Sequence, residues 1–206
     1  ERLGTVESMN AKHFLVRRYG KDAPVVTIRL DAYGKKEVIF QTHTKFKESY
    51  STIQMLSHDE KRYISLGEWW LTHPEARVYD SMIFDPGVNE DVPGVYNLWT
   101  GFEHEPKEGK TPLLDEFMFN TICNGNQESY DYLLMWMSHI VHHPDTPAGV
   151  ALVLQSATEG TGKTLFAERV CGDLVGNHYA KVDNPFTKFN GDQRDLVVMF
   201  ADELVC

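Results

Sequence analysis

Long apolar runs are missing from this chain. No stretch approaches the roughly 18 consecutive apolar residues that a membrane-spanning helix needs, and the opening ERLGTVESMN has neither the basic start nor the apolar centre of a secretory leader. Cysteine is scarce as well. Cys123, Cys171 and Cys206 are odd in number, far apart and form no Cys-x-x-Cys pair, so neither a disulfide framework nor a zinc knuckle is indicated, and a reducing compartment fits best. Positive charge is the third shortage. Twenty lysines and arginines face 30 aspartates and glutamates, a formal charge of −10, which argues against a surface that binds nucleic acid through phosphate neutralisation alone. Any DNA contact must then be local or lie outside this chain. Internal repeats and low-complexity segments are also lacking. What is present is ordinary globular composition, 42% hydrophobic and 24% charged over 206 residues, enough for one large domain or two small ones. A first residue that is Glu and an apolar strand at the far end lead us to expect a piece of a longer protein.

Four segments follow from the local patterns. Residues 1–64 read as a β-rich module: HFLVRR, PVVTIRL and EVIF alternate with the turn-formers YGKDAP and DAYGKK, as in a small antiparallel meander. Within it the charged HDEKRY reads as a helix surface. Residues 65–110 read as a connection that carries a short helix with Trp69 and Trp70, a break at Pro74 and a strand near Met82 to Phe84. Residues 111–147 read as a helical pair. Thr111 is placed to cap a helix over Pro112 to Cys123, which Asn124 and Gly125 stop. Tyr130, Leu133, Leu134, Met137 and Val141 then form a helical stripe ended by Pro144. Residues 148–206 carry α/β order: a strand from Val150, a glycine turn, a helix over Lys163 to Val175, the short strand HYAKV and the apolar strand Leu196 to Ala201.

The glycine turn is ATEGTGKT, running Ala157, Thr158, Glu159, Gly160, Thr161, Gly162, Lys163 and Thr164. It matches G-x-x-x-x-G-K-[ST] except at its first position, where Ala157 replaces glycine. Glycines at such positions let backbone N–H groups turn inward around phosphate oxygens, and the helix N-terminus that follows adds positive potential. Gly160, Thr161 and Gly162 would form the cradle and Lys163 would reach the β- and γ-phosphates of ATP. The Thr164 hydroxyl would join a magnesium shell. A second half lies in LVVMFADE, where an apolar strand delivers Asp202 and Glu203 at its C-terminal end. Asp202 is expected to bind the magnesium, and Glu203 to polarise the attacking water as the catalytic base. Asp202 follows Lys163 by 39 positions, room for one helix and one short strand.

With that compact spacing, VALVLQSATEGTGKT and KFNGDQRDLVVMFADE, together with WWLTHPEARVYDSMIFDPG, YNLWTGF and CNGNQESYDYLLMWMSHIV, resemble the helicase-side region of phage and prophage primase-helicases, including phage primase-polymerases. The motor of that family belongs to helicase superfamily 3. The resemblance runs from about Trp69 to Glu203, and more loosely through the first sixty residues. It implies a fold, an AAA+-like α/β P-loop NTPase core cut short after the Asp-Glu strand, preceded by a helical segment and a small β-rich module. It also implies a homo-oligomeric ring on single-stranded DNA, ATP hydrolysis between subunits and an upstream primase or primase-polymerase. Such a protein would work in the cytoplasm of a bacterial host. The sensor residue, the DNA-contacting hairpin and the arginine finger of the family would fall after the Asp-Glu strand. A chain ending at Cys206 is therefore expected to be inactive alone and to bind single-stranded DNA weakly.

Two other functions suit the same loop. A small-molecule or nucleotide kinase also begins with a phosphate loop, although no basic lid segment is present and the Asp-Glu pair suits water activation better. A non-catalytic oligomerisation platform with a structural nucleotide is the third reading. Elsewhere, His139, His142 and His143 offer two imidazoles at i and i+4, yet no Cys or carboxylate at ligand spacing completes a metal site. Trp69, Trp70, Trp99 and Trp136 read as packing anchors rather than base-stacking platforms. Lys181, Lys188 and Arg194 lie between the two motifs without an assigned role.

Overall fold

The computed structural model describes residues 4–19, 23–32, 34, 36–88, 92–186 and 193–202. The chain divides into two compact units, 1–83 with 90–98 and 84–89 with 99–206.

The first unit opens with helix α1 (Val6–Asn10), whose Thr5 hydroxyl accepts the Ser8 N–H at 3.2 Å while the Ser8 hydroxyl accepts the Thr5 N–H at 3.3 Å, a reciprocal cap. Strands β1 (His13–Val16), β2 (Val25–Leu30) and β3 (Lys36–Gln41) form the expected antiparallel meander, with His13 opposite Thr27 and Val26 opposite Phe40. Helix α2 (His43–Ser49), the hairpin of β4 (Gln54–Leu56) and β5 (Tyr63–Ser65), and helix α3 (Leu66–Leu71) follow. The two-residue strand β6 (Val78–Tyr79) joins β1 in parallel, giving the order β3-β2-β1-β6. Strands β7 (Ser81–Ile83) and β8 (Val95–Asn97) make a separate parallel pair. So α3 and the strands β6 to β8, drawn from the segment read as a connection, fold with the meander.

The alternation of a strand sorts this unit's apolar residues onto the two faces of the sheet. Val25 and the half-buried Leu15 join Met9, Phe46, Leu66 and Trp70 in one core, while Phe14, Val16 and Val26 join Val38, Phe40, Tyr79 and Tyr96 in another. Trp70 is fully buried and its indole N–H donates to Asn10 Oδ1 at 2.9 Å, the packing anchor that its sequence context suggested. The HDEKRY segment is not a helix surface. His58 to Arg62 lie in the turn of the β4–β5 hairpin and Tyr63 opens β5; in the turn Glu60 takes the left-handed conformation at φ 59° and its N–H donates to the Ser57 carbonyl. Charge pattern alone could not separate the two, because a solvated turn and a solvated helix face look alike in composition.

In the second unit, helix α4 (Pro112–Glu116) continues directly into a π turn, Phe117–Ile122. Thr111 occupies the cap position, but its hydroxyl bonds the Asp115 carboxylate at 3.4 Å instead of a backbone N–H. Asn124 (φ 51°) and Gly125 (φ 70°) stop the run, as their residue types suggest. Helix α5 (Gln127–His142) starts on Asn126, whose Oδ1 accepts the Ser129 N–H at 2.8 Å. Its buried stripe is rotated from the expected one: Tyr130, Leu133, Trp136, Met137, Ile140 and Val141 meet the core, whereas Leu134 is exposed.

The expected helix from Lys163 to Val175 is a continuous helical run of changing pitch. It comprises α6 (Lys163–Leu165), a π turn (Phe166–Cys171) and α7 (Gly172–Val175), and a 3-10 turn (Gly176–His178) follows. Strands β9 (Tyr179–Val182) and β10 (Val198–Ala201) then pair in parallel, with Lys181 opposite Phe200. The strand expected from Val150 is present only as an extended segment. Leu152 and Leu154 turn toward the core and Val153 is 85% exposed, a period of two, yet among the described residues no strand pairs with it. Periodicity reports which side chains face inward and is silent on whether a neighbour completes the ladder. Among the described residues, no helix is long and apolar enough to cross a membrane.

Candidate functional site

The glycine turn joins the extended segment to α6. Gly160 and Gly162 both have positive φ, 72° and 80°, a region that costs other residues energy and glycine almost none. At Gly162 space matters as much as φ. A Cβ there would lie 2.8 Å from Phe117 Cε2 and 3.0 Å from its Cζ, so the π turn of the preceding helical segment seats its ring directly against the loop. At Gly160, among the described residues, a Cβ would meet nothing within 4 Å. The helix begins after Gly162, and among the described residues no side chain caps it, so its first-turn N–H groups have no side-chain cap partner there.

Polar side chains converge on the same loop. The Lys163 ammonium donates to the Ser156 hydroxyl and, at 3.2 Å, to Thr161 Oγ1. Thr161 in turn donates to Ser156 Oγ at 3.1 Å, and Ser156 donates to the Thr158 carbonyl at 2.7 Å. The loop thus holds a lysine cation, two hydroxyls and uncapped backbone donors within one turn of chain, the set of groups that recognises a phosphate. Ser156, immediately before the motif, is the residue that sequence reasoning missed. Ala157, Thr158, Glu159 and Gly160 are exposed, and Thr164 is exposed on the first helical turn.

At the other end of the motif pair, Asp202 follows β10. Its Oδ2 lies 3.2 Å from Lys181 Nζ, and the same ammonium lies 2.8 Å from Glu168 Oε1. These two bonds, to Glu168 first and then to Asp202, raise the Lys181 pKa and keep it charged. Among the described residues no hydrogen bond or ion pair joins Lys163 or Thr164 to Asp202; the Lys181 bridge ties Asp202 to Glu168, in the π turn that follows α6. Glu203 and Lys188 lie outside the described residues. The hydroxyl of Thr164 and the carboxylate of Asp202 are both hard oxygen donors of the kind magnesium takes, so their chemistry fits that ion.

Two of the α5 histidines and Trp99 make described contacts. His139 Nε2 pairs with the Thr146 carbonyl at 2.9 Å, and His142 Nδ1 with the Ser138 carbonyl at 2.9 Å, so these imidazoles tie down the end of α5. Trp99 stacks on His178 with ring centroids 4.4 Å apart. His178 is buried, accepts the Thr100 N–H on Nε2 at 3.2 Å and therefore donates from Nδ1 to the Asp195 carbonyl at 2.9 Å. A lone histidine between Asn177 and Tyr179 gives no sequence signal for that clasp. Burial pushes the Cys171 thiol up to about 12, which keeps it protonated and unreactive. No protein-family model matches this chain, and neither a curated protein nor a solved structure matches it.

Proposed function

We propose that the second unit is the nucleotide-binding part of an α/β P-loop ATPase, the motor of a phage primase-helicase of superfamily 3 acting in the bacterial cytoplasm. The observation that carries the reading is the loop itself. Gly162 is held in a left-handed conformation against Phe117 at an uncapped helix start, and Lys163, Thr161 and Ser156 gather above it. In this reading the N–H groups around Gly160, Thr161 and Gly162 bind phosphate oxygens of ATP, and Lys163 neutralises the β- and γ-phosphates. Thr164 and Asp202 hold magnesium, which offsets phosphate charge. Glu203 accepts a proton from the attacking water. Subunits assemble as a homo-oligomeric ring that couples hydrolysis to movement along single-stranded DNA.

Calorimetric titration of the chain with ADP and ATP in magnesium tests the site. Lys163→Ala should weaken binding about ten- to a hundredfold, the effect of losing a charge-assisted contact of about 1.5 to 3 kcal/mol. Equal affinity for the variant and the unaltered chain rejects the assignment. In the assembled motor, Glu203→Gln should keep nucleotide binding and lose DNA-stimulated phosphate release.

A further inference from the structure

We infer that Lys181 is a positioning residue for the nucleotide site, holding Asp202 in place and tying it to the helical run that begins at Lys163. The inference rests on the reading of Asp202 as a magnesium ligand. Lys181 sits on β9 opposite Phe200 of β10, and its ammonium is fixed from three sides: Glu168 Oε1 at 2.8 Å, Asp202 Oδ2 at 3.2 Å and the Phe200 ring with its centroid at 5.5 Å. Glu168 belongs to the π turn that follows α6, so one side chain spans from the phosphate-loop helix to the end of the second strand. The charges matter as much as the geometry. An isolated ammonium beside Asp202 would cancel the charge that a divalent cation needs, but Glu168 balances the ammonium, and the trio keeps one net negative charge. Lys181 therefore orients a carboxylate without neutralising it. Neither the loop motif nor the Asp-Glu motif contains this residue.

The test uses the whole 206-residue chain and a fluorescent ADP analogue, with magnesium titrated at fixed nucleotide and protein. The magnesium concentration at half-maximal binding is the quantity read. Lys181→Met should raise it about two- to fivefold, the range open to a half-exposed ion pair, and Lys181→Arg, which keeps a cationic donor, should bring it back to the value of the unaltered chain. Glu168→Gln, which leaves the ammonium unbalanced beside Asp202, should raise it as well and supplies the comparison if Lys181→Met does not fold. A midpoint for folded Lys181→Met at or below that of the unaltered chain overturns the inference while leaving the nucleotide site standing. So does an Arg variant that behaves like the Met variant. An unaltered chain that shows no magnesium-dependent binding of the analogue overturns the site and the inference together.

Discussion

The two units differ first in charge. The first carries 13 lysines and arginines against 13 aspartates and glutamates and is formally neutral, while the second carries 7 against 17 and holds the entire −10. They differ as much in how their helices begin. Each helix of the first unit starts on a hydroxyl that accepts a backbone N–H: Thr5 for α1, Thr42 for α2 and Ser65 for α3. Among the described residues of the second unit, α5 has a side-chain cap, from the amide oxygen of Asn126, whereas α4 and α6 start without one. Each helix of the first unit thus has one of its first-turn donors satisfied by its own cap. The second leaves a helix start open beside a lysine, in the half of the molecule with the fewest cations to spare. On the proposed reading, a phosphate site in so acidic a setting must rely on directed N–H groups and one well-placed ammonium rather than on a general positive field.

The comparison breaks most readily in the cores. Trp70→Ala removes a fully buried indole and its bond to Asn10, and should cost about 3 to 5 kcal/mol of stability, seen in denaturant unfolding. Nucleotide affinity in native buffer should stay unchanged, because Trp70 belongs to the core of the first unit. Joint loss of both would show that the two units do not behave separately.

Next in size is the loop. Gly162→Ala must adopt a φ of 80° and push its Cβ against the Phe117 ring, a combination expected to cost about 2 to 4 kcal/mol. Gly160→Ala shares the positive φ but, among the described residues, meets nothing within 4 Å, so about 1 to 2 kcal/mol is expected there. Melting temperatures of the two variants, measured side by side, separate conformational strain from steric strain. Equal losses would mean that Phe117 does not press on the loop.

The first unit also contains a pH-dependent group. His13 is buried among Phe46, Tyr50 and Trp70. Thr27 spends its proton on Gln41 at 3.1 Å and so accepts from His13 Nδ1 at 2.9 Å, leaving Nε2 to accept from the Tyr50 hydroxyl at 2.7 Å. Burial first, and the nearby Lys12 second, bring the His13 pKa down from 6.5 to about 4. The folded state thus resists protonation that the unfolded chain accepts. Its contribution is complete above pH 6.5 and is lost as pH falls from 6.5 towards 4, by on the order of 3 kcal/mol. Urea unfolding across that range should show the decline, and His13→Gln should flatten it.

How much of this was legible in the sequence depended on whether the cause was local. The meander, the short helix with Trp69 and Trp70, and the glycine stops are local effects of alternation, capping and φ, and their residues announce them. The loop motif is local too, down to the lysine. What stayed hidden was set by partners far along the chain. Phe117 against Gly162, Lys181 between Glu168 and Asp202, and the His178 clasp on Thr100 and Asp195 each join residues whose spacing carries no pattern. The π turns at Phe117 and Phe166 were equally invisible, since a change of helical pitch leaves the apolar period almost intact over so few residues.

The caps offer the smallest effect and the most direct reading of the difference between the units. Thr42 and Ser65 each accept a first-turn N–H, from Lys45 at 3.3 Å and Glu68 at 3.2 Å. Replacing either with Ala exposes that donor and should cost about 1 kcal/mol, within the range of 0.5 to 2 measured for such caps. Thr111 occupies the same position ahead of α4 but turns its hydroxyl to the exposed Asp115 carboxylate, a bond that water replaces with little loss. Thr111→Ala should therefore change stability by less than about 0.5 kcal/mol, as for a surface substitution without a special contact. Equilibrium unfolding of the three single variants under one set of conditions decides the matter. If Thr111→Ala costs as much as Thr42→Ala, the start of α4 is held as firmly as those of the first unit, and the contrast between the units narrows to α6.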